Sequence, residues 1–150
     1  MPLWLVLHGP AAFTDEASRE ALAKDVTSKI YKMIPAFYTD ISFVPTSSQY
    51  VGGVKNDKMV RFVIFELAGN HAAAEEREAW IKNIDTVLKP HIADKGYDWE
   101  YHIEEPARDL WKIQGFVPPP LVSEAHKKWR RENKPTPYSK RDGRIEKALL

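Results

Sequence analysis

Hydrophobic and polar positions in the first part of the chain predict a strand, a helix and a second strand. The first strand covers Leu3 to His8, a β-favouring and aliphatic run that ends before a Gly-Pro pair. Thr14 has a side chain suited to cap a helix, and the helix should end before Pro35. Its apolar residues recur near helical spacing at Leu22, Val26, Ile30 and Met33. Alternation from Phe37 to Val44 then predicts the second strand.

The same order of elements follows once more. Met59 to Leu67 is a long β-favouring run, and Ala72 to Leu88 has helical periodicity that Pro90 should end or kink. Tyr97 to Ile103 reads as a fourth strand. Between the two units, Tyr50 and Val51 are bracketed by turn residues, which predicts a loop or a short hairpin.

Two strand–helix–strand units predict an α/β fold, an α+β sandwich with one four-stranded mixed sheet and both helices on one face. We expect a single domain over residues 1–150, with a core at about 2–105 and an irregular, proline-rich C-terminal arm at about 106–150. One short helix, from Ser123 to Glu132, should interrupt the arm. The arrangement leaves one sheet face uncovered, and some apolar strand residues should be buried on it, which predicts an oligomer. The candidates are Trp4, Val6, Phe62, Ile64, Trp99 and Tyr101.

Composition is that of a globular protein. Hydrophobic residues make up 43% and charged residues 29%, and no apolar run approaches the roughly 20 residues that span a bilayer. The chain has no cysteine, which excludes disulfides, thiolate zinc sites, iron–sulfur clusters and a cysteine nucleophile. This usage is compatible with a reducing compartment, and we expect a cytoplasmic protein.

The net charge of +1 is unevenly distributed. The segment from His126 to Lys147 has nine basic and three acidic residues, which leaves 13 basic and 18 acidic residues for the rest of the chain. A basic tail can bind nucleic acid or an acidic partner. A solvated segment that lies on the acidic body of its own or a neighbouring chain is the favoured interpretation.

The sequence lacks the common cofactor and metal motifs. It contains no GxGxxG, no P-loop, no HExxH and no GxSxG. The five histidines have no metal-ligand spacing; they are His8, His71, His91, His102 and His126. We therefore expect no metal site.

Pro2 is the unusual candidate for chemistry. Methionine before a small residue is normally removed, and proline would then be the amino terminus, with a secondary amine in a rigid ring. An α-amino group titrates at about 7.7–8.0 in model peptides, and burial or nearby cations would lower its pKa. Such an amine can act as a base near neutral pH. Proline at position 2 is common, however, so the residue alone does not establish catalysis.

Several motifs together resemble the tautomerase superfamily, and more narrowly the branch around cis-3-chloroacrylic acid dehalogenase. They are Pro2 at the start of a strand, the double βαβ length, residues 50–54, residues 99–101 and residues 104–107. Residues 110–120 and 132–138 resemble fungal members of that branch. The resemblance implies a homotrimer of double βαβ units, with an N-terminal proline as general acid or base in a pocket between subunits and without cofactor or metal.

The resemblance matches Pro2 to the catalytic proline and Tyr101 to the active-site tyrosine that positions water or polarises the substrate. Other positions depart from the dehalogenase pattern. Its histidine corresponds to Ile30 here, its arginine pair falls in residues 68–72, which contain no arginine, and its water-activating glutamate corresponds to Lys112. A carboxylate substrate then needs another cation, for which we consider His71, Lys112 and Arg61. Each of these can equally be a solvated or ion-paired residue.

The sequence therefore predicts a tautomerase-like isomerase that acts on a small α-keto acid, with Pro2 as the proton carrier and Tyr101 as a hydrogen-bond donor. One alternative is a cofactor-free dehalogenase, hydratase or decarboxylase of three-carbon acids. The other is a non-catalytic trimeric binding protein that presents its basic arm to a partner.

Overall fold

The central sheet has four strands in a computed structural model that describes residues 2–67 and 73–144. They are β1 (Leu3–His8), β2 (Asp40–Pro45), β5 (Met59–Phe65) and β6 (Asp98–Glu104), in the spatial order β2-β1-β5-β6. Strand β1 runs parallel to β2 and antiparallel to β5, and β5 runs parallel to β6. Two βαβ units thus join through their first strands, and the predicted mixed sheet is confirmed.

Helices α1 (Glu16–Asp25) and α2 (Ala74–Leu88) cover one face of this sheet. Buried residues of both helices pack in one cluster with buried strand residues, among them Trp4, Val6, Phe62 and Ile64. A π-helical turn, Val26–Ile30, extends α1 toward Tyr31. The predicted start of the second helix, Ala72, lies outside the described residues.

The apolar strand residues that were predicted to lie on the uncovered face of the sheet do not lie there, so this prediction was wrong. The register aligns Trp4 with Ile64 and Ile103, and Val6 with Phe62 and Tyr101. Paired residues point to the same side of a sheet, so all six candidate residues, including Trp99, belong to the helix-covered face. Hydrophobicity alone could not reveal the side, because the central strands are apolar on both faces.

The open face carries the alternate residues of each strand. Its centre is apolar and partly buried, with Leu5, Leu7, Val63 and Phe65 on the two middle strands. Its β6 edge is polar, since Glu100, His102 and Glu104 are exposed. An apolar centre of this kind on a sheet without a covering layer is typical of an interface between subunits.

Several element boundaries differ from the prediction by a few residues, and at two of them the physical reason is visible. Helix α1 is capped by Asp15, not by Thr14: the Asp15 carboxylate accepts a hydrogen bond from the Ser18 N–H over 2.8 Å. The second strand begins at Asp40, since residues Ala36–Tyr38 form a 3₁₀ turn instead of its first residues. Tyr38 is fully buried in this turn, and its packing explains the local departure from alternation.

The C-terminal arm packs on its own chain. Its helix α3 (Glu124–Glu132) is capped by Ser123 and buries Trp129 against Tyr38 and Trp111 in a second hydrophobic cluster. The Asn133 side chain accepts a hydrogen bond from the Phe37 N–H over 3.0 Å, which ties the end of α3 to the turn before β2.

A short hairpin separates the two βαβ units. The sequence predicted either a loop or a short hairpin at this place. Strands β3 (Tyr50–Val51) and β4 (Val54–Lys55) pair antiparallel around Gly52 and Gly53, which both have positive φ. Its side chains are exposed. Among the described helices, none is long and apolar enough to cross a membrane.

Candidate functional site

Pro2 lies at the entrance of β1, one of the two central strands of the sheet. The residue is buried, and its carbonyl accepts a hydrogen bond from the Asp40 N–H over 3.0 Å. Side chains alternate along a strand, so Pro2 belongs to the same face as Trp4, which the helices cover. A rigid ring at the end of a central strand has little freedom to move relative to its neighbours.

Glu66 is the carboxylate that lies beside Pro2. Leu3 and Phe65 form the last pair of β1 and β5. Pro2 precedes Leu3 and Glu66 follows Phe65, so continuation of this antiparallel register by one residue would set Pro2 opposite Glu66. Directly opposed Cα atoms in such a pair are about 5 Å apart. Glu66 is only 3% exposed, so its carboxylate lies inside the protein and close to the start of the chain.

A chain of hydrogen bonds holds this carboxylate. The Tyr31 hydroxyl donates to Glu66 Oε2 over 2.9 Å and accepts from the Trp4 indole N–H over 3.0 Å. Burial and the adjacent carboxylate of Glu66 raise the pKa of Tyr31 above its ordinary value, so the phenol stays protonated and donates. Trp4, Tyr31 and Glu66 therefore form a fixed polar network beneath Pro2.

Arg108 brings a positive charge to the same end of the sheet. Its Nη1 donates to the carbonyl of Leu67, the residue after Glu66, over 3.2 Å, and its Nη2 donates to the carbonyl of Pro119 over 3.0 Å. The guanidinium lies 5.5 Å from the ring centroid of Trp111. The half-buried arginine thus links the C-terminal arm to the residues around Pro2 and supplies a cation there.

Tyr101 lies elsewhere within one chain. Its hydroxyl donates to Asp85 Oδ1 of α2 over 2.8 Å, and its ring stacks on Trp99 with centroids 6.0 Å apart. Burial and the hydrogen bond to Asp85 raise the pKa of Tyr101. Tyr101 is in register with Val6, about 13 Å along β1 from Pro2 and about 10 Å across the sheet. The two residues therefore do not meet within one subunit.

The candidate cations have different surroundings. Arg61 lies on the open face and forms an ion pair with Glu100, the residue directly opposite on β6. Lys112 is exposed and follows the buried Trp111 in the arm. His71 lies outside the described residues. Arg61 is engaged with Glu100 on the open face, whereas Arg108 contacts Leu67, which follows Glu66 at the end of β5.

Sequence inspection missed Glu66, Tyr31 and Arg108. Glu66 sits within a predicted strand, and only the register of β1 with β5 reveals that it opposes Pro2. Arg108 belongs to an irregular, proline-rich segment whose path no periodicity predicts. A usable signal was the carboxylate that follows the run of apolar residues in β5, since a charge at the end of a buried strand needs a partner.

No cluster of three histidine, cysteine, aspartate or glutamate side chains suited to a metal ion occurs in residues 2–67 and 73–144. In the described part of the chain, the polar groups at this end of the sheet include the Glu66 carboxylate, the Tyr31 phenol, the Trp4 indole N–H and the Arg108 guanidinium. Together they can position a small polar molecule and stabilise a negative charge next to an amine.

Comparison with known proteins identifies relatives over most of the chain. Residues 1–134 match the Tautomerase_3 family, described as "Putative oxalocrotonate tautomerase enzyme". A protein of the thermophilic fungus Aspergillus fumigatus is 38% identical, with 92% of this chain and 98% of that chain covered and a TM-score of 0.85. Native RhCC from Rhodococcus jostii RHA1 is 36% identical, with coverages of 91% and 99% and a TM-score of 0.81.

A more distant structure shares the fold. N1, a member of the cis-3-chloroacrylic acid dehalogenase family, is 14% identical, with 87% of this chain and 97% of that chain covered and a TM-score of 0.66. A search of curated proteins found no significant match. The resemblance drawn from the sequence is confirmed, and the chain belongs to the Tautomerase_3 family of the tautomerase superfamily.

Proposed function

We propose that the protein is a tautomerase that interconverts the enol and keto forms of a small α-keto acid, with the amine of Pro2 as the proton carrier. The observation that carries the proposal is the burial of Pro2 immediately before the central strand β1 in a member of this family. The amine exists once Met1 has been removed. Absence of cysteine suits a reducing compartment, and we propose the cytoplasm as its location.

The proposed reaction moves one proton. The neutral Pro2 amine accepts the proton of the enol hydroxyl, and the resulting ammonium returns a proton to the β-carbon, which gives the keto acid. Burial favours the neutral amine, and so does the positive charge of Arg108, while the Glu66 carboxylate favours the protonated form. An α-amino group titrates at about 7.7–8.0 in model peptides, so such an amine is suited to accept a proton and return it near neutral pH.

We propose that the active enzyme is a homotrimer. The apolar centre of the open sheet face supports an interface between subunits, and the resemblance to the superfamily implies three of them. Because Tyr101 lies far from Pro2 in its own chain, a role in catalysis requires that Tyr101 reach the proline of a neighbouring subunit.

Lys112 and His71 stay proposed substrate contacts. Arg61 is a weaker candidate, since Glu100 already neutralises its charge.

Replacement of the proline tests the reaction. Protein that begins at Pro2 should catalyse ketonisation of 2-hydroxymuconate or phenylpyruvate enol, and Pro2→Ala should lower kcat by at least about 100-fold, as expected for loss of a positioned acid–base group. Intact mass confirms the amino terminus of each sample. Equal rates for the two proteins would refute the assignment of Pro2.

A second reaction class has support from Glu66. Hydration or hydrolytic dehalogenation of a three-carbon acid needs a base that activates water. The dehalogenase uses a glutamate whose sequence position is Lys112 here, and the buried carboxylate of Glu66 is a candidate to take over that role. Turnover of cis-3-chloroacrylate that is lost in Glu66→Gln would favour this alternative. Ketonisation without such turnover favours the tautomerase.

A further inference from the structure

Three buried polar groups in the second hydrophobic cluster lack hydrogen-bond partners. They are the Tyr38 hydroxyl, the Trp111 indole N–H and the Nε2 of His126, and no acceptor or donor for them lies among the described residues. Tyr38 is fully buried, and the other two side chains are 6% and 5% exposed. Buried groups of this kind are normally satisfied, because a buried polar group without a partner destabilises the folded protein.

The three groups belong to one cluster. The Tyr38 ring lies 5.1 Å from that of Trp111 and 6.3 Å from that of His126, centroid to centroid. The hydroxyl and the indole N–H are both donors, and a neutral histidine has one further donor or acceptor at Nε2. Burial together with the positive charges of Arg108 and Arg130 lowers the pKa of His126, which favours the neutral ring.

Arg108 adds the charge. Its two described hydrogen bonds go to neutral carbonyls, and its described contacts include no carboxylate. Its guanidinium lies 5.5 Å from the Trp111 ring centroid, and the Tyr38 ring packs on the same indole with centroids 5.1 Å apart. The cluster therefore combines unpartnered polar groups that can donate hydrogen bonds with a positive charge, and both features favour an anion.

We propose that Arg108, Tyr38 and Trp111 bind the carboxylate of the α-keto acid, in a site that the C-terminal arm builds. His126 closes the same cluster and contributes its Nε2. The identity of the anion as an α-keto acid rests on the proposed function. The anion site itself rests only on the donor groups that form it.

The position of the site suits a short substrate. Arg108 donates to Leu67, which directly follows the residue opposite Pro2, so the cation and the proline lie within a few residue spacings of each other. In an α-keto acid the carboxylate and the carbon that exchanges a proton are separated by one carbonyl. A guanidinium can hold a carboxylate through two parallel hydrogen bonds, which would fix the substrate in orientation as well as in place. Arg108 of the arm would then supply the positive charge that the arginine pair supplies in the dehalogenase pattern, since residues 68–72 contain no arginine.

Binding of pyruvate and of its neutral amide tests the site directly. Titration of each into ¹⁵N-labelled protein is followed at the indole N–H of Trp111, in wild type, Arg108→Gln and Tyr38→Phe. The matched control is Arg131→Gln, an exposed arginine of α3 with a side chain 73% accessible. Trp111→Phe assigns the indole signal.

We expect pyruvate to shift the Trp111 signal, with affinity at least about tenfold lower in Arg108→Gln, because a charge-assisted hydrogen bond contributes more than 1.4 kcal/mol. Tyr38→Phe should weaken binding but leave the free protein equally or more stable, since it removes a hydroxyl that has no partner. Arg131→Gln should bind as wild type does, and the amide should bind weakly to all.

Equal affinity for pyruvate and its amide, or unchanged binding in Arg108→Gln, would overturn the inference, as would absence of any response in wild type. The same titration in Pro2→Ala separates the two proposals. Pyruvate binding that persists without ketonisation in any sample supports the anion site and refutes the tautomerase.

Discussion

Tyr31 is the residue on which the polar network beneath Pro2 depends. Its hydroxyl joins the fully buried Trp4 indole to the buried Glu66 carboxylate, and both neighbours rely on it for a hydrogen bond. Such a junction fixes the orientation of the carboxylate beside the proline. In a low-dielectric interior, a network of this kind is stable only while each member keeps its partner.

Tyr31→Phe should destabilise the protein by about 1–3 kcal/mol, because a buried indole N–H loses its acceptor and a buried carboxylate loses a donor. Urea denaturation monitored by fluorescence measures the change in the free energy of unfolding. Tyr138→Phe is the matched control, since its hydroxyl donates to the Val117 carbonyl at an exposed site where water can replace it. A loss for Tyr31→Phe no larger than for Tyr138→Phe would show that the junction contributes little.

A candidate site residue could be predicted from the sequence where its chemistry depends only on its own position in the chain. Pro2 is identifiable as a candidate because removal of Met1 would give it a free amine. Glu66 and Arg108 were not, since their proximity to Pro2 arises from strand register and from the path of an irregular arm. Tyr101 illustrates the reverse case, because a motif match indicates a residue type but not whether it reaches Pro2 within one chain.

Strands and helices were the most predictable level. All four sheet strands lie where alternation and β-propensity indicated, and β1 has the predicted bounds. The cap of α1 moved from Thr14 to Asp15 because both residues can accept a hydrogen bond, and only the chain path decides which one meets the Ser18 N–H. The late start of β2 follows from burial of Tyr38 against the arm, a contact between distant parts of the sequence.

Asp25 links the end of α1 to the chain after α2, and it should make stability depend on pH. Its carboxylate accepts from Lys29 Nζ over 2.8 Å and interacts with His91 Nε2 over 2.9 Å, and these contacts lower the pKa of Asp25 in the folded state. The folded pKa lies below the unfolded value of about 3.9, so the contribution is present above that pH and is lost as pH falls through the folded pKa.

Asp25→Asn should therefore reduce the free energy of unfolding at pH 6, and the difference from wild type should shrink as the pH falls below about 4. Chemical denaturation at several pH values measures both curves. Asp94→Asn is a suitable comparison, because Asp94 forms its ion pair with Lys89 within the exposed turn after α2. A difference that stays constant down to acid pH would contradict this account of Asp25.

The whole molecule is organised around one covered and one open sheet face. The open face is apolar at its centre and charged along β6, where Arg61 pairs with Glu100. Among the described residues, the arm packs on the turn before β2. We propose that another subunit covers the open face. Assembly also offers a route by which Tyr101 of one chain can approach Pro2 of another.

Val63→Glu should prevent assembly, because it introduces a charge in the middle of the apolar centre. Sedimentation equilibrium should give three times the chain mass for wild type and the chain mass for the variant. Lys82→Glu, on the exposed side of α2, is the control and should leave the trimer intact. A monomeric wild-type protein, or a trimeric Val63→Glu, would refute the proposed interface.

Binding of a partner by the basic arm stays an alternative function, but deletion of the arm is not a suitable test of it. Removal of residues 126–150 would also remove the buried Trp129, and the second cluster would lose its centre. Charge changes confined to exposed residues such as Lys127 and Arg131 address the surface alone. Strong salt dependence is the mark of nucleic-acid binding.

The amine of Pro2 is the central claim, and comparison of two amino termini tests it most directly. Protein made with methionine aminopeptidase inhibited keeps Met1, so the nitrogen of Pro2 is an amide, while all side chains stay the same. Ketonisation of phenylpyruvate enol should proceed in protein that begins at Pro2 and fall to background in protein that keeps Met1, with masses verified for both. Equal rates would contradict the account, because an amide nitrogen cannot carry the proton.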